Sequence, residues 1–237
     1  MPDEGLIVEA RGENLLAVKF TAMASPCEVL LPLMSHHAAL AIGTVAALEA
    51  WRVEKKYSRY RDDSVTAWIH ENRGTTIEVD EETASLIDFA KQCYELSEGL
   101  FDITSGVLRR VWRFDGSDRI PTRRQVREVM PFVGWRKVTW RSPQLMLPAG
   151  MEIDLGGLGK EYAVDSALLR IQQAHPAPAL VNFGGDLRVS GPRRDGARWG
   201  VAIEAVDEFG AAEAFLDISD GALTTSGDAR RLSLIHI

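Results

Sequence analysis

"MEIDLGGLGKEYAVDSALL", residues 151–169, sets three glycines and a lysine directly after a short apolar run. Small residues ahead of a helix allow backbone groups to approach a phosphate closely. Neither familiar phosphate loop fits. In a G-x-x-x-x-G-K loop the first glycine would fall on Asp154, and Glu161 stands where a Ser or Thr should follow the lysine. In a G-x-G-x-x-G fingerprint Gly157 and Gly159 would be followed by Tyr162. Two readings therefore remain open on these residues alone. Either the turn carries a pyrophosphate or its metal, with Lys160 as a point charge, or it is a tight strand-to-helix turn that uses glycine for positive φ.

Working outward, "MEIDL" reads as a strand and Lys160 to about Ala174 as a helix. Upstream, "NLLAVKF" and "CEVLLPL" read as strands with "TAMASP" as the turn between them. Ser35 caps a long Ala- and Leu-rich helix. "RDDSVTAWIHENRG" reads as a loop and short helix closed by Gly74, and "TTIEV" as a strand. Asp80 caps a helix with Glu81 and Glu82 in its first turn, an apolar stripe of Leu86, Phe89, Ala90, Cys93 and Leu96, and a stop at Gly99. Thr122 and Gln125 stand at capping-box spacing. "RKVTW" and "QLMLP" read as a hairpin, and "ALVNF", "LRVSG", "WGVAIEAV" and "AEAFLDI" as later strands. Strands come in groups as well as alternating with helices. The fold class is α+β, a single domain of mixed or antiparallel sheets packed by helices.

Composition narrows the function. With 46% apolar and 26% charged residues, the chain has the balance of a soluble globular protein. Its net charge of −7 argues against a nucleic-acid binder, and the arginines at 119, 123, 124 and 127 are diluted by Asp118 and Glu128 into a solvated helix face. Cys27 and Cys93 read as small buried hydrophobes rather than a disulfide framework or zinc site. The N-terminus has acidic residues where a signal peptide carries basic ones, and no run approaches the ~18 apolar residues of a membrane span. The expectation is a cytoplasmic chain without a transmembrane segment.

The glycine turn keeps particular company. "FTAMASPCEVLL" (20–31), "YSRYRDDS" (57–64), "GLFDITSGVL" (99–108), "EIDLGGLGKEYAVD" (152–165), "LVNFGGDLRVSG" (180–191) and "TTSGDARR" (224–231) follow one another in that order. Together they resemble the ApbE family, the FAD:protein FMN transferases. The likeness runs over nearly the whole chain from about residue 18. It implies an ApbE-like domain over 18–231, an N-terminal extension over 1–17, and a C-terminal part that is missing. The last residues, "LSLIHI" (232–237), read as an adaptor-encoded tail.

The resemblance also implies an activity. Family members use Mg²⁺ to move the FMN half of FAD onto a Thr or Ser hydroxyl of a target protein, releasing AMP. On that basis Met23 contacts the flavin nucleotide, with Ala24 and Ser25 in place of the family's Gly and Thr. Tyr60 lies against the ring system, and Leu100, Phe101 and Asp102 form a ligand-contact run. Asp154 holds the nucleotide, Gly157 donates a carbonyl to Mg²⁺, and Lys160 meets the pyrophosphate. Several have a plainer alternative: core filler for Met23, a tyrosine at a helix end for Tyr60, a helix N-cap for Asp102 and a turn residue for Asp154. No residue is assigned as catalytic nucleophile or base, because the acceptor protein brings the hydroxyl. None of the histidines, including His70, is given a catalytic role. The complete protein is expected to be the transferase and the 237-residue form to be impaired. A flavin-binding protein without transfer activity and an FAD pyrophosphatase giving FMN and AMP are the alternatives.

Overall fold

The computed structural model describes residues 5–112, 120–204 and 212–225. The chain divides into two compact units. Among the described residues, the first unit holds those up to Glu54 and from Gly159 onward; the second holds Lys55–Leu158. The fold is α+β. The end of the "TTSGDARR" motif and the whole of "LSLIHI" lie outside the described residues.

The first unit is built on a six-stranded sheet in the order β1-β2-β3-β7-β8-β11. Its strands are β1 (Ile7–Arg11), β2 (Leu15–Ala22), β3 (Ser25–Pro32), β7 (Leu180–Phe183), β8 (Asp186–Val189) and β11 (Gly221–Leu223). Every pair is antiparallel. β1 falls in the stretch set apart by sequence as an N-terminal extension, and the three-residue β11 has no signature in the sequence.

Helix α1 (His36–Tyr57) meets this sheet at Gly43, where an added Cβ would lie 2.2 Å from a Val18 methyl. Nothing larger than glycine lets the helix approach so closely. Helix α5 (Gly156–Ala174) is tied to α1 through buried Glu49, which accepts hydrogen bonds from Ser166 and Arg52 and pairs with Arg170. A separate antiparallel pair, β9 (Trp199–Glu204) and β10 (Ala212–Ile218), contributes buried Trp199 to a core with Leu180, Leu187 and Val189. Cys27 is buried as expected, and burial pushes its thiol up to about 12, so it behaves as an apolar filler.

The second unit carries α2 (Val65–Glu71), β4 (Thr76–Glu78), α3 (Glu81–Leu96), α4 (Arg123–Val129), β5 (Thr139–Arg141) and β6 (Gln144–Met146). The strands pair antiparallel in the order β4-β6-β5. Two of the sequence's capping signals are realised in this unit: Asp80 caps α3 with its side chain on the Thr83 N–H, and Thr122 with Gln125 forms a reciprocal capping box on α4. Ser64, not singled out by the sequence reading, caps α2. The stripe of α3 is rotated from the expected one. Ala84, Leu86, Ile87 and Ala90 are buried, whereas Phe89 and Leu96 are exposed. Two apolar rows of this helix satisfy a 3.6-residue period, and the neighbours decide which is covered.

The opening stretch departs from its reading in two ways. Helix α5 starts at Gly156 instead of Lys160, so the glycines belong to its first turn. "MEIDL" belongs to no strand. Its backbone is pinned by single side chains and a loop carbonyl: Arg73 Nε donates to the Met151 carbonyl, the Ile153 N–H donates to His70 Nε2, and the Asp154 N–H donates to the Ile103 carbonyl. With those groups taken, no neighbouring strand is needed to satisfy it.

The β2–β3 connection is tighter than expected. Ala22 pairs with Ser25, which leaves Met23 and Ala24 as a two-residue turn with φ of 51° and 53°. That is the geometry of a type I′ turn, in which glycine or asparagine is preferred. The β7–β8 turn has the same form, with Gly184 and Gly185 at φ of 64° and 99° between Phe183 and Asp186. An exposed alanine in the left-handed region is disfavoured by roughly 1 kcal/mol. Ala24→Gly is therefore expected to raise stability by about 0.5 kcal/mol after allowing for the freer unfolded chain. A thermal melt that is unchanged or lower for the variant would contradict this turn geometry.

Candidate functional site

Six of the eight residues expected from the sequence lie in the second unit: Tyr60, Leu100, Phe101, Asp102, Asp154 and Gly157. Asp154 is their hub. Its Oδ1 accepts the Gly156 N–H at 2.9 Å, at the start of α5, where a carboxylate complements the positive end of the helix. Its Oδ2 accepts from Arg59 Nη1 in an ion pair. Gly106 packs directly behind it, since an added Cβ there would lie 2.7 Å from the Asp154 Cβ.

Arg59 reaches further. Its Nη2 donates to the Tyr60 hydroxyl at 2.7 Å, and its Cζ lies 4.9 Å from the Tyr60 ring centroid. Tyr60 itself is 79% exposed. The Asp154 N–H bonds the Ile103 carbonyl, next to Asp102. Asp102 caps the 3₁₀ helix Ile103–Arg110: Oδ1 accepts from the Thr104 N–H at 2.8 Å and hydroxyl at 2.6 Å, and Oδ2 accepts from the Trp135 N–H at 2.9 Å. The plainer alternative for Asp102, a helix cap, is thus realised, and Asp154 stands in the turn that leads into α5. Phe101 lies over Gly157, where a Cβ would sit 3.3 Å from its Cε2. Leu100 is 93% exposed. An open groove of about 750 Å³ elsewhere in this unit, lined by Tyr94, Trp135 and Trp140 among others, includes none of the expected residues.

Met23 and Lys160 lie in the first unit. Lys160 Nζ donates to Asp186 Oδ2 at 2.6 Å, and the Asp186 side chain is only 4% exposed. A cation near a helix N-terminus is disfavoured by the helix dipole. The buried carboxylate offsets that and fixes the ammonium. Asp186 follows the Gly184–Gly185 turn, and the Gly184 N–H donates to the Pro26 carbonyl at 2.9 Å beside the Met23–Ala24 turn. The Thr225 hydroxyl donates to the Gly185 carbonyl at 3.1 Å. Four motifs read separately in the sequence, "TAMASP", "GKE", "NFGGD" and the start of "TTSGD", are therefore linked in one unit. Asp186 and Arg59 were not expected as site residues. Asp186 ended a motif without an assigned role, and Arg59 occupied an unassigned position between Ser58 and Tyr60.

Ionisable groups brace the segment that leads to Asp154. Glu152 is buried and paired with Arg109 and Arg110; burial works against its ionised form, but the guanidiniums outweigh it and hold the carboxyl below its usual range. The buried Oε2 of Glu161 has no hydrogen-bond partner among the described residues, and burial raises its carboxyl, with nearby Asp186 adding to the shift. Among the described residues, no three His, Cys, Asp or Glu side chains converge on a point that could hold a metal. The Gly157 carbonyl lies in the first turn of α5. Mg²⁺ requires a near-octahedral set of oxygens. Waters and substrate phosphate oxygens commonly complete that set, so a single backbone carbonyl such as that of Gly157 fits as one donor.

His70 accepts the Ile153 N–H at 3.0 Å and so supports the residue next to Asp154. Burial first, and then the Arg73 guanidinium, pull its imidazole down to about 4. The folded-state value lies below the unfolded one of about 6.5, so this contribution to stability is complete above that pH. It is lost as pH falls toward about 4. The slope over that interval is at most about 1.4 kcal/mol per pH unit, reduced by the ring's partial exposure. Thermal melts between pH 7 and 4.5 should show this loss, and His70→Gln should flatten it. An equal pH dependence in the variant would remove His70 from the account.

A profile of the ApbE family matches residues 23–235. The FAD:protein FMN transferase of Haemophilus influenzae is 28% identical over 191 residues, covering 75% of this chain and 55% of that protein. That of Salmonella typhimurium is 30% identical over 184 residues, covering 73% and 52%. The chain thus spans about half the length of the curated relatives it matches. The crystal structure of the ApbE protein of Thermotoga maritima superposes with a TM-score of 0.82 at 28% identity, over 90% of this chain and 71% of that one. The flavin transferase ApbE of Vibrio cholerae, at 23% identity, shares the fold with a TM-score of 0.79 over 96% and 74%. No helix among the described residues is long and apolar enough to cross a membrane.

Proposed function

The chain belongs to the ApbE family, and from that premise we propose that its protein transfers the FMN half of FAD to a Thr or Ser hydroxyl of a target protein, with Mg²⁺, releasing AMP. The observation that carries this reading is the Asp154 hub: one carboxylate ties Arg59 and, through it, Tyr60 to the glycine turn that opens α5. The relatives' name, FAD:protein FMN transferase, supports the transfer of FMN from FAD to a protein.

In this reaction the acceptor hydroxyl oxygen attacks the phosphorus on the riboflavin side of the diphosphate. The bond from that phosphorus to the bridging oxygen breaks, AMP leaves with that oxygen, and the hydroxyl proton passes to solvent. Such a displacement needs positioning and charge neutralisation more than a protein nucleophile. Lys160, its ammonium directed by the bond to Asp186, offers an N–H donor to a diphosphate oxygen. Tyr60, Phe101 and Leu100 offer aromatic and apolar surface to the flavin or adenine rings. Met23, presented at the tip of its turn, contributes a soft apolar contact. Mg²⁺ belongs to the proposal: the Gly157 carbonyl would be one of its donors, and the ion would neutralise charge developing on the diphosphate.

Incubation of the protein with FAD, Mg²⁺ and a Thr-containing acceptor tests the proposal. The expected result is fluorescent flavin covalently attached to the acceptor, with AMP formed in equal amount and no product in the presence of a chelator. AMP without labelled acceptor would make the protein a hydrolase instead. Bound but unreacted FAD would make it a flavin-binding protein.

A further inference from the structure

We propose that Arg59 is a positioning residue for the flavin nucleotide: it holds the Tyr60 ring in place and cancels the Asp154 charge, so that an anionic diphosphate can approach. The inference deepens the proposed function and rests on that reading of the site.

Three observations carry it. First, Arg59 uses two different nitrogens of one rigid fork, Nη1 on Asp154 and Nη2 on the Tyr60 hydroxyl. A lysine has a single ammonium on a flexible stem and cannot reproduce that bridge. The Arg59 backbone is also held, since its carbonyl accepts from Arg109 Nη1 at 3.3 Å. Second, Tyr60 is a large, mostly exposed ring whose hydroxyl is fixed by Arg59. A freely rotating aromatic loses rotamer entropy when a ligand stacks on it, and a restrained one has lost it beforehand. Third, Asp154 would oppose its intended ligand if left alone. A dinucleotide diphosphate carries two negative charges, and a partly shielded carboxylate beside it is repulsive. Paired with Arg59, the Asp154 carboxylate can keep its bond to the Gly156 N–H without presenting a net charge.

The test is FAD binding, followed by quenching of flavin fluorescence, for the wild-type chain and for Arg59→Met, Arg59→Lys, Asp154→Asn and the Arg59→Met/Asp154→Asn double variant. Thermal melts accompany each. Arg59→Met is expected to weaken FAD binding about 10-fold or more, with Arg59→Lys recovering only part of the loss. The distinguishing sign lies in the double variant. Asp154→Asn should weaken binding in the wild-type background and strengthen it in the Arg59→Met background, where it removes an uncompensated negative charge.

Binding by Arg59→Met within two-fold of wild type would overturn the proposal. So would an Asp154→Asn effect of the same sign in both backgrounds, because a purely structural Arg59 gives that result. If Arg59→Met does not fold, Arg59→Lys decides, and wild-type affinity in that variant overturns the idea. Absence of FAD binding by the wild-type chain would overturn this inference and the proposed function together. Normal binding by both wild type and Arg59→Met would overturn the inference alone.

Discussion

The carboxylate of Asp154 is the constraint on which the second unit's site depends. One oxygen accepts the first backbone N–H of α5, and the other accepts the Arg59 guanidinium. The residue's own N–H is bonded to the loop that carries Phe101 and Asp102. A short acidic side chain at a helix start is common. Its position here depends on glycine at 106, which removes the Cβ that would collide with it. Around it the segment Met151–Leu155 is held by Arg73, His70 and the Glu152 ion pairs, without the support of a sheet ladder. That is a costly arrangement of buried charge, and it holds because the partners are hydrogen-bonded as well as opposite in sign.

A common principle runs through both units. Two of the three charged side chains expected to meet a nucleotide are paired with an opposite charge of the same unit, Asp154 with Arg59 and Lys160 with Asp186, while Asp102 is held by N–H and hydroxyl donors. Such pairing fixes direction. An ammonium on four methylenes has many rotamers in water, whereas one bonded at 2.6 Å to a buried carboxylate is restricted to few. The arrangement also accounts for glycines that a phosphate loop does not need. Gly184 and Gly185 build the turn that delivers Asp186, and Gly185 leaves space for Thr225, whose hydroxyl would lie 2.3 Å from an added Cβ.

The departures from the family pattern acquire physical meaning in the same way. Alanine at 24 replaces a glycine at a position with φ of 53°, so the chain carries mild backbone strain at the tip of the Met23 turn. Ser25, beside it, is buried with its Cβ 2.7 Å from where a Gly184 side chain would begin, which couples this turn to the next one. Asp102 illustrates the opposite case. Its alternatives as ligand contact and helix cap are compatible, because a carboxylate has more lone pairs than the three hydrogen bonds it accepts.

The sequence by itself determined the α+β class, most of the helices and strands, their caps, and the family, because these rest on local periodicity, capping chemistry and motifs read in order along the chain. Asp80 and the Thr122–Gln125 box act through bonds a few residues apart, so their effect is visible without a fold. Tertiary structure alone decided that "MEIDL" is not a strand, that Phe89 and Leu96 face outward, and that Arg59 and Asp186 join the expected residues. Each of these depends on partners far along the chain: His70 on Ile153, Arg59 on Asp154, and Lys160 on Asp186. An ion pair between distant residues leaves no periodic trace in the sequence. Its members are set by where the backbone places them, and that is a property of the folded chain.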